Sequence, residues 1–132
     1  MESPARPRAK PRPVYLDLPA IRFPVPAIAS ILHRISGALL FFVGVPALLW
    51  GVQTALASPE AYAAFRAFVA HPLAKLVALA LVWAYLHHLF AGVRHLLQDV
   101  HVGLELRPAR QSATLAIVAA VVLTLVVAVR LW

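Results

Sequence analysis

The chain has 132 residues, of which 62% are hydrophobic and only 13% charged, with a formal net charge of +7 and no cysteine. So little polar surface argues against a soluble domain and for a membrane protein, and the missing cysteines exclude disulfides, thiolate metal sites and haem attachment through Cys. The cations flank the apolar runs instead of covering a soluble face with aromatics between them, which argues against nucleic-acid binding.

Residues 1 to about 13 are mostly Pro, Arg, Lys and Ala. They bury nothing and are expected to be disordered or extended, with their charge facing anionic lipid. From Val14 to Pro26, "VYLDLPAIRFPVP" carries Pro19, Pro24 and Pro26, which predict an extended segment lying on a soluble partner or on lipid headgroups. Residues 1–26 therefore read as a basic, Pro-rich cytoplasmic segment, without the apolar core of a signal peptide. Residues 27–132 read as the membrane domain.

Three stretches free of Asp, Glu, Lys and Arg follow: Ile35–Pro59, Leu76–Val93 and Gln111–Val129. Each approaches the roughly 20 apolar residues of a spanning helix. The expected fold class is an all-α membrane protein with three transmembrane helices over about 30–56, 72–97 and 112–131. Within the first, Pro46 predicts a kink, and Ser30, Gly37, Gly44 and Gly51 recur every seven residues on one face, where another helix could approach closely. Between the first two spans, "SPEAYAAFRAFVAHP" predicts a short surface helix. Its N-cap is Ser58, Pro59 and Glu60 fill its first turn, and Tyr62, Phe65 and Phe68 or Val69 form its apolar side. "HVGLELRPAR" is expected to be the loop into the third span, which packs or faces lipid and ends with Trp132 at the interface.

Six Lys or Arg residues precede the first span, Arg66 and Lys75 follow it, Arg94, Arg107 and Arg110 follow the second, and Arg130 alone follows the third. The positive-inside rule then predicts a cytoplasmic N-terminus and an external C-terminus.

The second span, "WAYLHHLFAGVRHLLQDVH", holds ionisable groups at depth, where such groups are functional hypotheses. His88, Gly92, His95 and Asp99 share one stripe, and His87 and Arg94 an adjacent one. A deep imidazole one turn from a glycine suits a flat macrocycle, with His88 on its iron and Gly92 making room. The plainer alternative is a histidine bonded across a helix interface without a cofactor. A haem with two His ligands would need its second from another chain. At the same end, Ser30 or Arg34 could donate to a quinone carbonyl, and His33, Arg34, Arg94 or His95 could meet haem propionates; snorkelling alone would also explain Arg34. Asp99 could pass protons to a reduced quinone, or neutralise Arg94 or Arg107.

The patterns SxxHRxSG at Ser30–Gly37 and HxxxGxRHxxxD at His88–Asp99, with "RPVYLDLPAIRF" before them and "SPE" after the first span, make the sequence resemble the small cytochrome b membrane anchors of bacterial succinate dehydrogenase, respiratory complex II. The resemblance covers nearly the whole chain. It implies His88 as axial haem ligand, Ser30 and Arg34 as quinone-site residues, and His33, Arg94 and His95 near the propionates, with Asp99 as the motif's acid. His87 departs from the pattern and is a rival ligand by identity, but only His88 keeps the spacing to Gly92. The implied cofactor is haem b and the implied substrate ubiquinone. Implied partners are a second anchor subunit, an iron–sulfur subunit and a flavoprotein oxidising succinate, in heterotetramers that could form trimers, in the inner membrane, with no catalysis by this chain alone. Two alternatives stay open: an anchor of a quinol:fumarate reductase, and a scaffold without haem. A small transporter subunit is disfavoured because the third span offers no polar pathway.

Overall fold

The computed structural model describes residues 20–132, and all its regular elements are helical. They are α1 (Val25–Leu39), a π-helical turn at Leu40–Gly44, α2 (Val45–Ala57), α3 (Pro59–Ala70), α4 (Pro72–Asp99) and α5 (Leu106–Leu131). Residues 1–19, most of the expected basic, Pro-rich segment, lie outside the described residues.

Three helices are long and apolar enough to cross a membrane: Val25–Ala57 at 33 residues, Pro72–Asp99 at 28 and Leu106–Leu131 at 26. At a rise of about 1.5 Å per residue each outruns the roughly 30 Å of hydrocarbon, so their ends reach the headgroup region. The expected three-helix fold is therefore present.

Two helices start earlier than the sequence predicts. α1 begins at Val25 with Pro24 as N-cap and Pro26 in its first turn, and α5 begins at Leu106, inside the expected loop, with Pro108 in its first turn. The first N–H groups of a helix have no partner inside it, so a proline there removes no bond. The second span also runs two residues further than expected, to Asp99.

Next to Pro46, where the sequence predicts a kink, the helix carries a π turn, in which the Val45 N–H bonds back to the Leu40 carbonyl. Pro46 cannot donate to the carbonyl four residues before it, and a single wider turn re-seats the neighbouring groups.

Packing follows membrane logic. The buried apolar side chains are small: Ala29 on α1, Ala84 and Ala91 on α4, and Ala113, Ala116 and Ala120 on α5. Large ones such as Phe41, Phe42, Leu56 and Leu115 point outward. Alanine lets backbones approach closely, which gives dispersion contact where lipid removes any hydrophobic gain. On α4 the buried residues Ala84, His87, Ala91 and Arg94 fall 3, 4 and 3 apart, a single inward stripe.

The α3 helix starts as expected, with Ser58 accepting from the Ala61 N–H at 3.1 Å. It folds back on α2, where Trp50 meets Phe65 and Phe68 edge-on at 5.7 and 5.4 Å and Gly51 is buried under Phe65. Of the residues expected on the apolar side of α3, Phe65 is half-buried while Tyr62, Phe68 and Val69 are exposed. At the same end of the bundle Lys75 donates to the Leu131 carbonyl at 2.9 Å and lies 5.0 Å from the Trp132 ring, satisfying a carbonyl that the end of α5 would leave open. The His33–His88–His95 cluster lies toward the opposite end, where α1 and α5 begin and α4 finishes.

Between α4 and α5 the chain turns with His101 at φ 64° and Gly103 at φ 74°. The Val102 N–H bonds to the Leu97 carbonyl at 2.9 Å, a Schellman closure with His101 in the left-handed position usually given to glycine.

Candidate haem and quinone site

The His88 ring is held from one side by α1. Its Nδ1–H donates to the His33 carbonyl at 3.0 Å. Ser36 Oγ lies 3.3 Å from the same nitrogen and donates its own proton to that carbonyl at 3.0 Å. These contacts fix one tautomer, with the proton on Nδ1 and the lone pair on Nε2. A metal-bound imidazole is normally oriented in this way, its second nitrogen tied to a carbonyl.

The glycine nearest the ring is Gly37, where an added Cβ would lie 2.7 Å from His88 Cε1. Gly92, expected to clear space beside His88, instead faces His33, with its Cβ position 3.5 Å from His33 Nε2. The heptad glycines thus serve different partners: Gly37 receives an imidazole, Gly44 faces Leu81 and Gly51 lies under Phe65.

Three imidazoles form a column. His33 stacks on His88 with centroids 4.1 Å apart and planes 13° apart, and His95 tilts against His33 at 5.1 Å. No group of three or more His, Cys, Asp or Glu side chains among the described residues is arranged to hold a metal ion. A haem does not need one, because the macrocycle supplies four nitrogens and the protein an axial ligand. The donor set fits that group: one oriented, partly exposed imidazole, with histidine and arginine side chains toward the end of the bundle.

His87 is placed differently. It is wholly buried, stacked on Trp83 at 5.5 Å, with its Nε2 3.4 Å from the Ala29 carbonyl. Its Nδ1 has no partner among the described residues. The environment is that of a histidine bonded across the α1–α4 contact.

Ser30 is partly buried and Arg34 exposed. Four residues apart on α1, they share a face, with Ser30 about one turn before His33 and Arg34 one residue after it. Arg94 is only 7% exposed and turns away from the histidine column, donating from Nε to Ser112 Oγ at 3.2 Å. Asp99, a possible partner for Arg94, is exposed in the last turn of α4. The residues that sequence reasoning missed are Ser36, Gly37 as a seat for His88, and Ser112. The first two stand inside the "HRISG" text, but only the fold shows which ring they touch.

A family model described as "Succinate dehydrogenase/Fumarate reductase transmembrane subunit" matches residues 8–127. The chain is 37% identical over 112 residues to the succinate dehydrogenase cytochrome b556 subunit of Paracoccus denitrificans, covering 85% of each chain. It is 36% identical over 122 residues to the subunit of that name from Coxiella burnetii, covering 92% of this chain and 97% of the relative. Against the Rickettsia typhi subunit it is 28% identical over 114 residues, covering 86% and 88%.

Proposed function

Because this chain belongs to the family of succinate dehydrogenase and fumarate reductase transmembrane subunits, we propose that it is the cytochrome b anchor of a succinate:quinone oxidoreductase, supplying one axial ligand to haem b and part of a quinone site. The observation that carries this reading is the His88 ring, oriented through Nδ1 by the His33 carbonyl with Nε2 left for a metal. Haem b would supply a one-electron carrier beside the quinone site.

The chain's own residues then have separable tasks. His88 would hold the haem iron from α4, with a partner anchor subunit completing the site. Gly37 and Ser36 keep the His88 ring in place from α1. His33 and His95, toward the end of the column, balance propionate charge. Ser30 and Arg34 donate to a quinone carbonyl, and Asp99, exposed at the same end, passes protons as the quinone takes up two electrons and two protons. Ubiquinone is the proposed substrate. An iron–sulfur subunit and a succinate-oxidising flavoprotein are the proposed partners on the cytoplasmic side, where the excess of Lys and Arg before α1 places the N-terminus. This chain alone catalyses nothing.

The test separates the quinone site from the rest of the complex. Arg34→Ala and Ser30→Ala should lower quinone reduction roughly tenfold or more, the effect of losing one hydrogen bond to a charged or polar partner, while succinate oxidation by an artificial dye persists. Equal loss of both activities would assign these residues to assembly.

A further inference from the structure

We propose that the groove between α4 and α5 is a binding site for the headgroup of an anionic phospholipid, held by Arg94. The groove has a volume of about 420 Å³ and is lined by Phe90, Val93, Arg94, Gln98, Ser112 and Leu115, among others. Arg94, Gln98 and Ser112 are the polar members of an otherwise apolar wall. One guanidinium set in an apolar wall matches one phosphate with acyl chains beside it.

Charge decides the headgroup. Arg94 is 7% exposed, and its one hydrogen-bond partner among the described residues is the neutral hydroxyl of Ser112, reached through Nε. A guanidinium in so apolar a setting is costly without an anion, and its planar fork matches two phosphate oxygens. Arg94 also shares the inward stripe of Ala84, His87 and Ala91, so its stem is fixed by packing and its head cannot snorkel freely to water. The acids of this end, Asp99 and Glu105, are exposed and do not line the groove. The site is independent of the haem and quinone reading, since Arg94 points away from His88.

The experiment uses the complex purified in mild detergent and washed free of loose lipid. Bound phospholipid is counted by native mass spectrometry, and the complex is then titrated with phosphatidylglycerol or phosphatidylcholine in mixed micelles. The wild type should retain phosphatidylglycerol and rebind it in preference to phosphatidylcholine. Arg94→Gln should weaken rebinding roughly tenfold, the loss of a charge-assisted contact, and Arg94→Lys less. Arg130→Gln, exposed in the last turn of α5 at the other end, should change nothing. Equal affinity of the wild type for the two lipids would overturn the proposal even if no Arg94 variant assembles. Unchanged lipid binding in Arg94→Gln with a shifted haem potential would overturn it in favour of a propionate partner.

Discussion

The Nδ1 of His88 sits 3.0 Å from the carbonyl oxygen of His33, and the two imidazole rings lie nearly parallel, 4.1 Å apart. One residue of α1 therefore sets both the tautomer and the tilt of the ring on α4. Because the carbonyl belongs to the backbone, replacing the His33 side chain leaves the hydrogen bond and removes the stack and the proposed propionate contact. His33→Ala should accordingly keep haem bound but shift its midpoint potential; complete loss of haem would show that the stacked ring is needed for ligation.

Gly37 should be the least replaceable glycine in the chain. A Cβ there would stand 2.7 Å from His88 Cε1, inside any real contact, whereas one at Gly92 would meet His33 Nε2 at an ordinary 3.5 Å. Gly37→Ala must push the imidazole aside, at an overpacking cost of about 1–3 kcal/mol. Haem content per complex should drop in Gly37→Ala and hold in Gly92→Ala. The reverse order would mean that Gly92 borders the macrocycle, as the spacing alone suggested.

The alanine seam makes a stability prediction. Ala120 is fully buried on α5, while Leu125, five residues on, is 59% exposed. Ala120→Leu should destabilise the packing of α5 in the bundle by about 1–3 kcal/mol, lowering the thermal midpoint of the assembled complex. Leu125→Ala should leave it nearly unchanged.

At the other end, Ser58 caps α3, and Ser58→Ala should cost that helix about 1 kcal/mol. Glu60 has its carboxyl held below the usual carboxylate range by its own backbone N–H and then by the Ser58 hydroxyl. A depressed carboxylate contributes above its ordinary range and loses that contribution as pH falls through the folded value. With the intrinsic pH dependence of exchange divided out, protection of the α3 amides should therefore fall on acidification in the wild type, and depend less on pH in Ser58→Ala.

Much of this architecture was legible in residue order because bilayers impose a strong rule: charge-free stretches of the right length span, and Ser58-Pro59-Glu60 starts a helix. Helix starts were harder to read. Pro26 and Pro108 break a helix interior but not its first turn, and sequence alone does not say which position a proline will take. The site was legible in its composition and not in its pairings. His88 stood out by depth, but Gly37 looked like a helix-packing glycine, and Arg94 looked like part of the histidine cluster until the rotation of α4 placed it against Ser112. Ser112 carried no signal, being one small hydroxyl in an apolar helix.

The central claim is that His88, not His87, holds haem. Reduced-minus-oxidised absorbance spectra of the purified complex, recorded for the wild type, His87→Ala and His88→Ala, test it most directly. A b-type band present in the wild type and in His87→Ala but lost in His88→Ala is the predicted result. A band that survives in His88→Ala, or is absent from the wild type, would contradict the account and leave His88 as a histidine that only joins α4 to α1.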